Sequence, residues 1–191
     1  MAAHDKMSVR AFLQGVCDVL SFRRLLAVND VLWIGEWIFH VSFVLVILRH
    51  LRYFLDPVPP CIWSVQTPGI IAGYLLPLTA MYIFVEKYLV EKKKYVSHYN
   101  SLLLGIISFI SVSGLLMKTV YHPDVVSIKT FIISAVTFRF APVPGSSFFI
   151  LHVIFVLALL VILPTHIFAA PLVLLGARQR EENLNRVIHE K

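Results

Sequence analysis

Four long apolar stretches constrain this chain more than any other feature: about Val31 to Leu55, Gly69 to Val90, Ser101 to Met117 and Ser147 to Leu175. Each is near or above the length that carries a helix across a bilayer, roughly 20 residues. Backbone amides and carbonyls inside hydrocarbon must be satisfied within the segment, so such runs cross as helices. A hydrophobic fraction of 58% with only 15% charged residues agrees. The expected fold is all-α, a transmembrane four-helix bundle with amphipathic surface helices.

Two other segments do not reach across. Residues 1–30 carry Lys6, Arg10, Asp18, Arg23, Arg24 and Asp30 and have no continuous apolar core. Val9, Phe12, Leu13, Val16, Val19 and Leu20 recur at helical spacing, which predicts an amphipathic helix at the membrane surface, ended by Asn29 and Asp30. Lys129 interrupts the apolar residues from Val125 to Phe140, and their length suits a second surface helix better than a span. Three regions follow: an amphipathic segment over 1–30, a transmembrane bundle over 31–176 and a charged tail over 177–191. Asp56, Pro57, Pro59 and Pro60 end the first span, and residues from Cys61 to Pro68 are expected to turn the chain back.

The excess of 17 Lys and Arg over 11 Asp and Glu marks loops held in the cytoplasm and no nucleic-acid partner. Lys87, Lys92, Lys93 and Lys94 crowd the connection between the second and third spans. That connection is therefore expected in the cytoplasm, and with four spans both termini join it. Cys17 and Cys61 then face opposite sides and cannot pair. Two cysteines are too few for an iron–sulfur cluster, and no C-x-x-C-H run is present for covalent haem attachment.

Of the eight histidines, His4, His98, His122 and His189 fall in termini or loops. The other four lie within spans, where polar side chains are costly unless they face the interior and find partners. His40 and His50 are ten residues apart, roughly 15 Å along a helix and about 80° around it. His152 and His166 are fourteen apart, roughly 21 Å and about 40°. The first and last spans run in opposite directions, so His50 meets His152 near the outer surface and His40 meets His166 in the inner half. A single histidine of this kind serves equally well as an interhelical hydrogen bond or a proton path. Two levels, each with one imidazole from either helix, match bis-histidine ligation of b-type haem, with two haems expected and one possible. The inner pair is offset by roughly 6 Å along the axis, which a kink at Pro164 can take up or which can mark a level without haem.

The residues from Leu32 to His40 (LWIGEWIFH), from Leu48 to Tyr53 (LRHLRY), and from Phe149 to His152 followed by Pro164 resemble the cytochrome b family of the respiratory nitrate reductase gamma subunit. They are closest to the membrane cytochrome b subunits of sulfate-reducer redox complexes and heterodisulfide reductase. The resemblance extends from about Arg10 to Arg180. It implies a quinone-linked membrane subunit that passes electrons through two b haems between the quinone pool, menaquinone included, and a cytoplasmic iron–sulfur oxidoreductase. By motif, His50 and His152 match the outer haem's ligands and His40 one inner ligand. The family's fourth ligand falls a turn later than His166, where Ala169 and Ala170 stand here, leaving His166 as a substitute. The family core has five spans, and the first has no counterpart here, so other membrane subunits are expected to replace it.

Haem carboxylates seek basic partners. Arg49 and Arg52 flank His50 as candidates, with Lys118, Lys129 and Arg139 behind them, and simple snorkelling to the interface is the alternative for each. Glu36 precedes His40 by one turn and is placed to hydrogen-bond it or to carry protons, with a merely interfacial carboxylate as the equal alternative. Gln66 and Thr67 open the second span at the outer level and are the candidate quinone contacts. The expected function is a prokaryotic cytoplasmic-membrane b-type cytochrome subunit of an oxidoreductase complex, not catalytic alone toward the terminal substrate. A haem-free anchor or assembly subunit is the alternative, and a small transporter or proton channel a weaker one, since no internal repeat is present.

Overall fold

A computed structural model of the chain describes residues 9–91 and 97–189. It is 85% helical, without strands among the described residues. The helices are α1 (Val9–Ser21), α2 (Arg23–Leu26), α3 (Asp30–His50), α4 (Pro60–Ser64), α5 (Gln66–Val85), α6 (His98–Leu116), α7 (Val125–Val136) and α8 (Ser147–His189). Four stretches are long and apolar enough to cross a membrane: Asp30–Tyr53, Gln66–Val90, His98–Tyr121 and Ser147–Leu184. They contain the four expected spans almost entirely.

Local chemistry sets the boundaries. Asn29 Oδ1 accepts the Leu32 amide at 2.8 Å and so caps the start of α3. Asp124 does the same for α7, accepting from the Val126 and Ser127 amides. The turn expected over 61–68 is instead largely helical. Pro60 sits at the first position of α4, where its missing N–H costs nothing, and α5 begins at Gln66. α8 continues through Pro164 and Pro171 to His189, so the boundary expected at 176 lies inside a helix.

The chain divides into two compact units, residues 1–33 with 162–191, and residues 34–161. In the second unit, Gly35 packs on Tyr82 and Gly69 on Arg49, so α3 and α5 run antiparallel. Tyr88 bonds Ser101 and Lys118 lies over the Tyr74 ring, which makes α5 and α6 antiparallel. Gly114 with His152 and Phe109 with Phe155 do the same for α6 and α8. The end of α6 and the start of α8 therefore share one end of the unit, and α7 is packed there through Phe131 against Phe149. At twelve residues, about 18 Å long, α7 is too short to cross.

Leu76, Ala80, Ile83, Leu103, Ile107 and Phe149 are buried, while Leu78, Met81, Phe84, Phe109 and Leu160 are exposed. An apolar exterior on this scale suits lipid rather than water. In the first unit, Arg24 bonds both carboxylate oxygens of Glu181 at 2.9 and 3.0 Å, and Arg178 bonds Gln14 at 2.9 Å. These contacts hold α1 and α2 to the last part of α8. Gly15 and Asp18 of α1 face inward, whereas Val9, Phe12, Leu13 and Leu20 are exposed. That arrangement fits a helix whose apolar stripe lies on a membrane surface.

Candidate functional site

The second unit brings His50, at the end of α3, close to His152, on the first turns of α8. Their ring centroids are 6.5 Å apart and the planes lie within 18° of parallel. His50 Nδ1 lies 2.7 Å from the Val46 carbonyl oxygen. A carbonyl only accepts, so Nδ1 carries a proton, and in the neutral ring Nε2 keeps its lone pair. His152 Nδ1 lies 2.9 Å from the Ser113 hydroxyl, which itself donates to the Ile110 carbonyl at 3.0 Å. With its one proton so used, the hydroxyl accepts from Nδ1–H, as the Ile110 carbonyl also does, and in the neutral ring Nε2 keeps its lone pair.

Two neutral imidazoles of the same tautomer are a donor set for a transition metal. With metal–nitrogen bonds of about 2.0 Å and ring radii of about 1.2 Å, imidazoles on opposite sides of one iron put their centroids roughly 6.4 Å apart. The observed separation fits. Among the described residues, no group of three or more His, Cys, Asp or Glu side chains is gathered as a metal cage. A metal at this pair has two protein donors, the number a haem iron takes axially.

Two arginines adjoin the pair. Arg49 Nε and Arg52 Nε are buried without a hydrogen-bond partner, a condition that calls for an anion. The Arg49 stem crosses α5 at Gly69, and Arg52 donates to the Tyr53 hydroxyl at 2.5 Å with its guanidinium 4.6 Å from that ring's centre. Haem carboxylates have the charge and the acceptor oxygens these groups lack. The more distant cations are otherwise engaged or exposed. Lys129 bonds Asp56 at 3.1 Å, Lys118 lies 5.0 Å over the Tyr74 ring, and Arg139 is exposed.

His40, also in the second unit, donates from Nδ1 to the Glu36 backbone carbonyl at 2.7 Å. The Glu36 carboxylate, a candidate to hydrogen-bond His40 or carry protons, is 3.7 Å from Nδ1 and takes Lys87 Nζ at 2.5 Å. The charged ammonium wins that carboxylate over a neutral imidazole. His166, on the part of α8 that belongs to the first unit, is half-buried. Gln66 is half-buried and Thr67 exposed on the first turn of α5. A cavity of about 520 Å³ runs along α5 and α6, lined by Tyr74, Met81, Phe84, Tyr88, Gly105 and Ser108 among others, and includes neither Gln66 nor Thr67. Lys92 to Lys94 lie outside the described residues.

Ser113, Gly114 and the Glu36–Lys87 pair are contacts that sequence patterns missed. The only signal in sequence was a pair of small residues in an apolar run, and small residues are common in spans.

These helices and this facing pair define the class: an all-α integral membrane protein that brings two neutral imidazoles together between spans. No protein-family model and no solved structure matches the chain. It is similar to the Hdr-like menaquinol oxidoreductase cytochrome b-like subunit of Archaeoglobus profundus, 28% identical over 120 residues, which cover 56% of this chain and 36% of that protein. The subunit of the same description from Archaeoglobus fulgidus is 27% identical over 122 residues, with the same shares covered. The match thus spans about a third of the relatives' length. Both agree with the membrane cytochrome b resemblance carried by the histidine motifs.

Proposed function

We propose that this chain is a membrane-embedded b-type cytochrome subunit exchanging electrons between the quinone pool and an iron–sulfur oxidoreductase partner on the cytoplasmic side. The observation that carries this reading is the His50–His152 pair, with both Nδ1 atoms committed and both Nε2 atoms bare. His50 and His152 hold the outer haem b by their Nε2 atoms, and Arg49 and Arg52 take its carboxylates through the buried Nε groups. Bound there, haem supplies a one-electron carrier. Depth counted along the sequence is what supports a second, inner haem with His40 and His166 as its ligands. The relatives' description as subunits of a menaquinol oxidoreductase supports menaquinone as the quinone.

Gln66 and Thr67 contact the quinone headgroup. The apolar cavity begins at Tyr74, about two helical turns further along α5, and offers an isoprenoid tail a place to lie. Both termini are cytoplasmic, and Lys92 to Lys94 belong to the partner-docking surface. Other membrane subunits complete the assembly.

A reduced-minus-oxidised spectrum of the purified chain tests the proposal, together with haem per polypeptide. A b-type band lost in His50→Ala and in His152→Ala is the expected result. Two haems per chain, with one lost in His166→Ala, place a ligand at the inner level. Absence of any b-type band refutes the cytochrome reading and leaves a haem-free anchor.

A further inference from the structure

We propose that Ser113 is the positioning residue of the outer site, holding the orientation of His152 from the neighbouring helix and tuning its basicity as a ligand. This rests on the cytochrome reading and adds to it a residue on α6, a helix that contributes no ligand.

His50 and His40 both satisfy Nδ1 on a carbonyl four residues earlier in their own helix, Val46 and Glu36. Their ring settings are built into α3, and no side-chain replacement removes the acceptor. His152 differs. Its partners lie on another helix, the Ser113 hydroxyl 2.9 Å from Nδ1 and the Ile110 backbone carbonyl. Ser113 is only 6% exposed, and its own donor requirement is already met by Ile110. Its remaining lone pairs are therefore available to the imidazole, and donation to Ile110 polarises the hydroxyl into a better acceptor.

The neighbouring residue makes room for this bond. A Cβ at Gly114 sits 3.2 Å from His152 Cε1, so the ring lies over a bare Cα. The Ser113–Gly114 step thus joins a hydroxyl that holds Nδ1 to a gap that admits the ring. An acceptor on Nδ1–H raises the electron density that Nε2 offers a metal and favours its oxidised state.

Redox titration of the purified full chain, followed at the b-type band, tests the proposal with Ser113→Ala and Ser113→Thr. Ser113→Ala removes the hydroxyl, leaves His152 the Ile110 carbonyl alone, and weakens haem retention. At a fixed potential it shifts the reduced-to-oxidised ratio of the outer haem threefold to tenfold toward reduced, a rise of about 28 to 59 mV for a one-electron couple at 59 mV per tenfold. Ser113→Thr keeps the hydroxyl and restores the parent potential. In 15N spectra of the haem-free protein, the His152 Nδ1 resonance of the threonine variant matches the parent and that of the alanine variant is shifted. A Ser113→Ala protein with parental haem retention and potential overturns this proposal while leaving the cytochrome reading intact. If Ser113→Ala loses all haem, recovery in Ser113→Thr supports the proposal and its failure there overturns it. A parent without b-type absorption overturns both.

Discussion

Gly69→Ala places a methyl group where α3 and α5 are closest beside the site. The new Cβ lies 2.7 Å from Arg49 Cβ and 2.8 Å from its Cδ. The nearer atom is the first carbon of the side chain, fixed to the α3 backbone, so rotation of the flexible stem does not relieve the contact. The helices must separate by about 0.7 Å to reach ordinary packing distance. Overpacking of this kind costs about 1 to 3 kcal/mol, offset by about 0.5 to 1 kcal/mol from replacing a helical glycine with alanine. Gly73, one turn further along α5, provides the control, because a Cβ there meets nothing within 4 Å. Gly73→Ala is expected to be neutral or to stabilise by about 0.5 to 1 kcal/mol. The assay is unfolding in mixed micelles, with the b-type band followed in parallel. Arg49 adjoins His50, so Gly69→Ala is expected to release haem at a lower denaturant fraction than either the parent or Gly73→Ala. Equal stability of the two variants refutes the close packing on which the magnitude rests.

Two further outcomes follow from named contacts. Glu36→Gln leaves the Lys87 ammonium without its 2.5 Å partner in a setting where both side chains are less than a fifth exposed. The expected loss is about 1 to 3 kcal/mol, most of it recovered when Lys87→Met is added, and a double-mutant cycle without coupling rejects the pair. Asp124 is held below the ordinary carboxylate range by the Ser127 hydroxyl and then by the Val126 and Ser127 amides. A depressed folded-state value means the cap on α7 is intact above the ordinary carboxylate range and is lost as pH falls through the depressed value. Amide exchange at Val126 and Ser127 should therefore accelerate in acid, and Asp124→Asn should remove that pH dependence. Acid-insensitive exchange in the parent contradicts the capping role.

The spans were legible in sequence because a bilayer imposes a length and an apolar composition on any helix that crosses it, and both are local properties. His50 and His152 were legible as a pair because antiparallel spans of similar length align positions measured from the same surface. Their depth can be counted along the chain. Partner choice at single atoms could not be counted that way. Whether the Glu36 carboxylate serves His40 or Lys87 depends on where the end of α5 comes to rest beside α3. That His152 meets the Ser113 hydroxyl and the Ile110 carbonyl of α6, rather than a carbonyl of its own helix, depends on the approach of α8 to α6. Residue spacing thus determined which helices form and that His50 and His152 share a level. Only packing between helices decided which donor meets which acceptor, since ångström differences in approach decide whether a hydrogen bond forms and carry no periodic mark in the sequence.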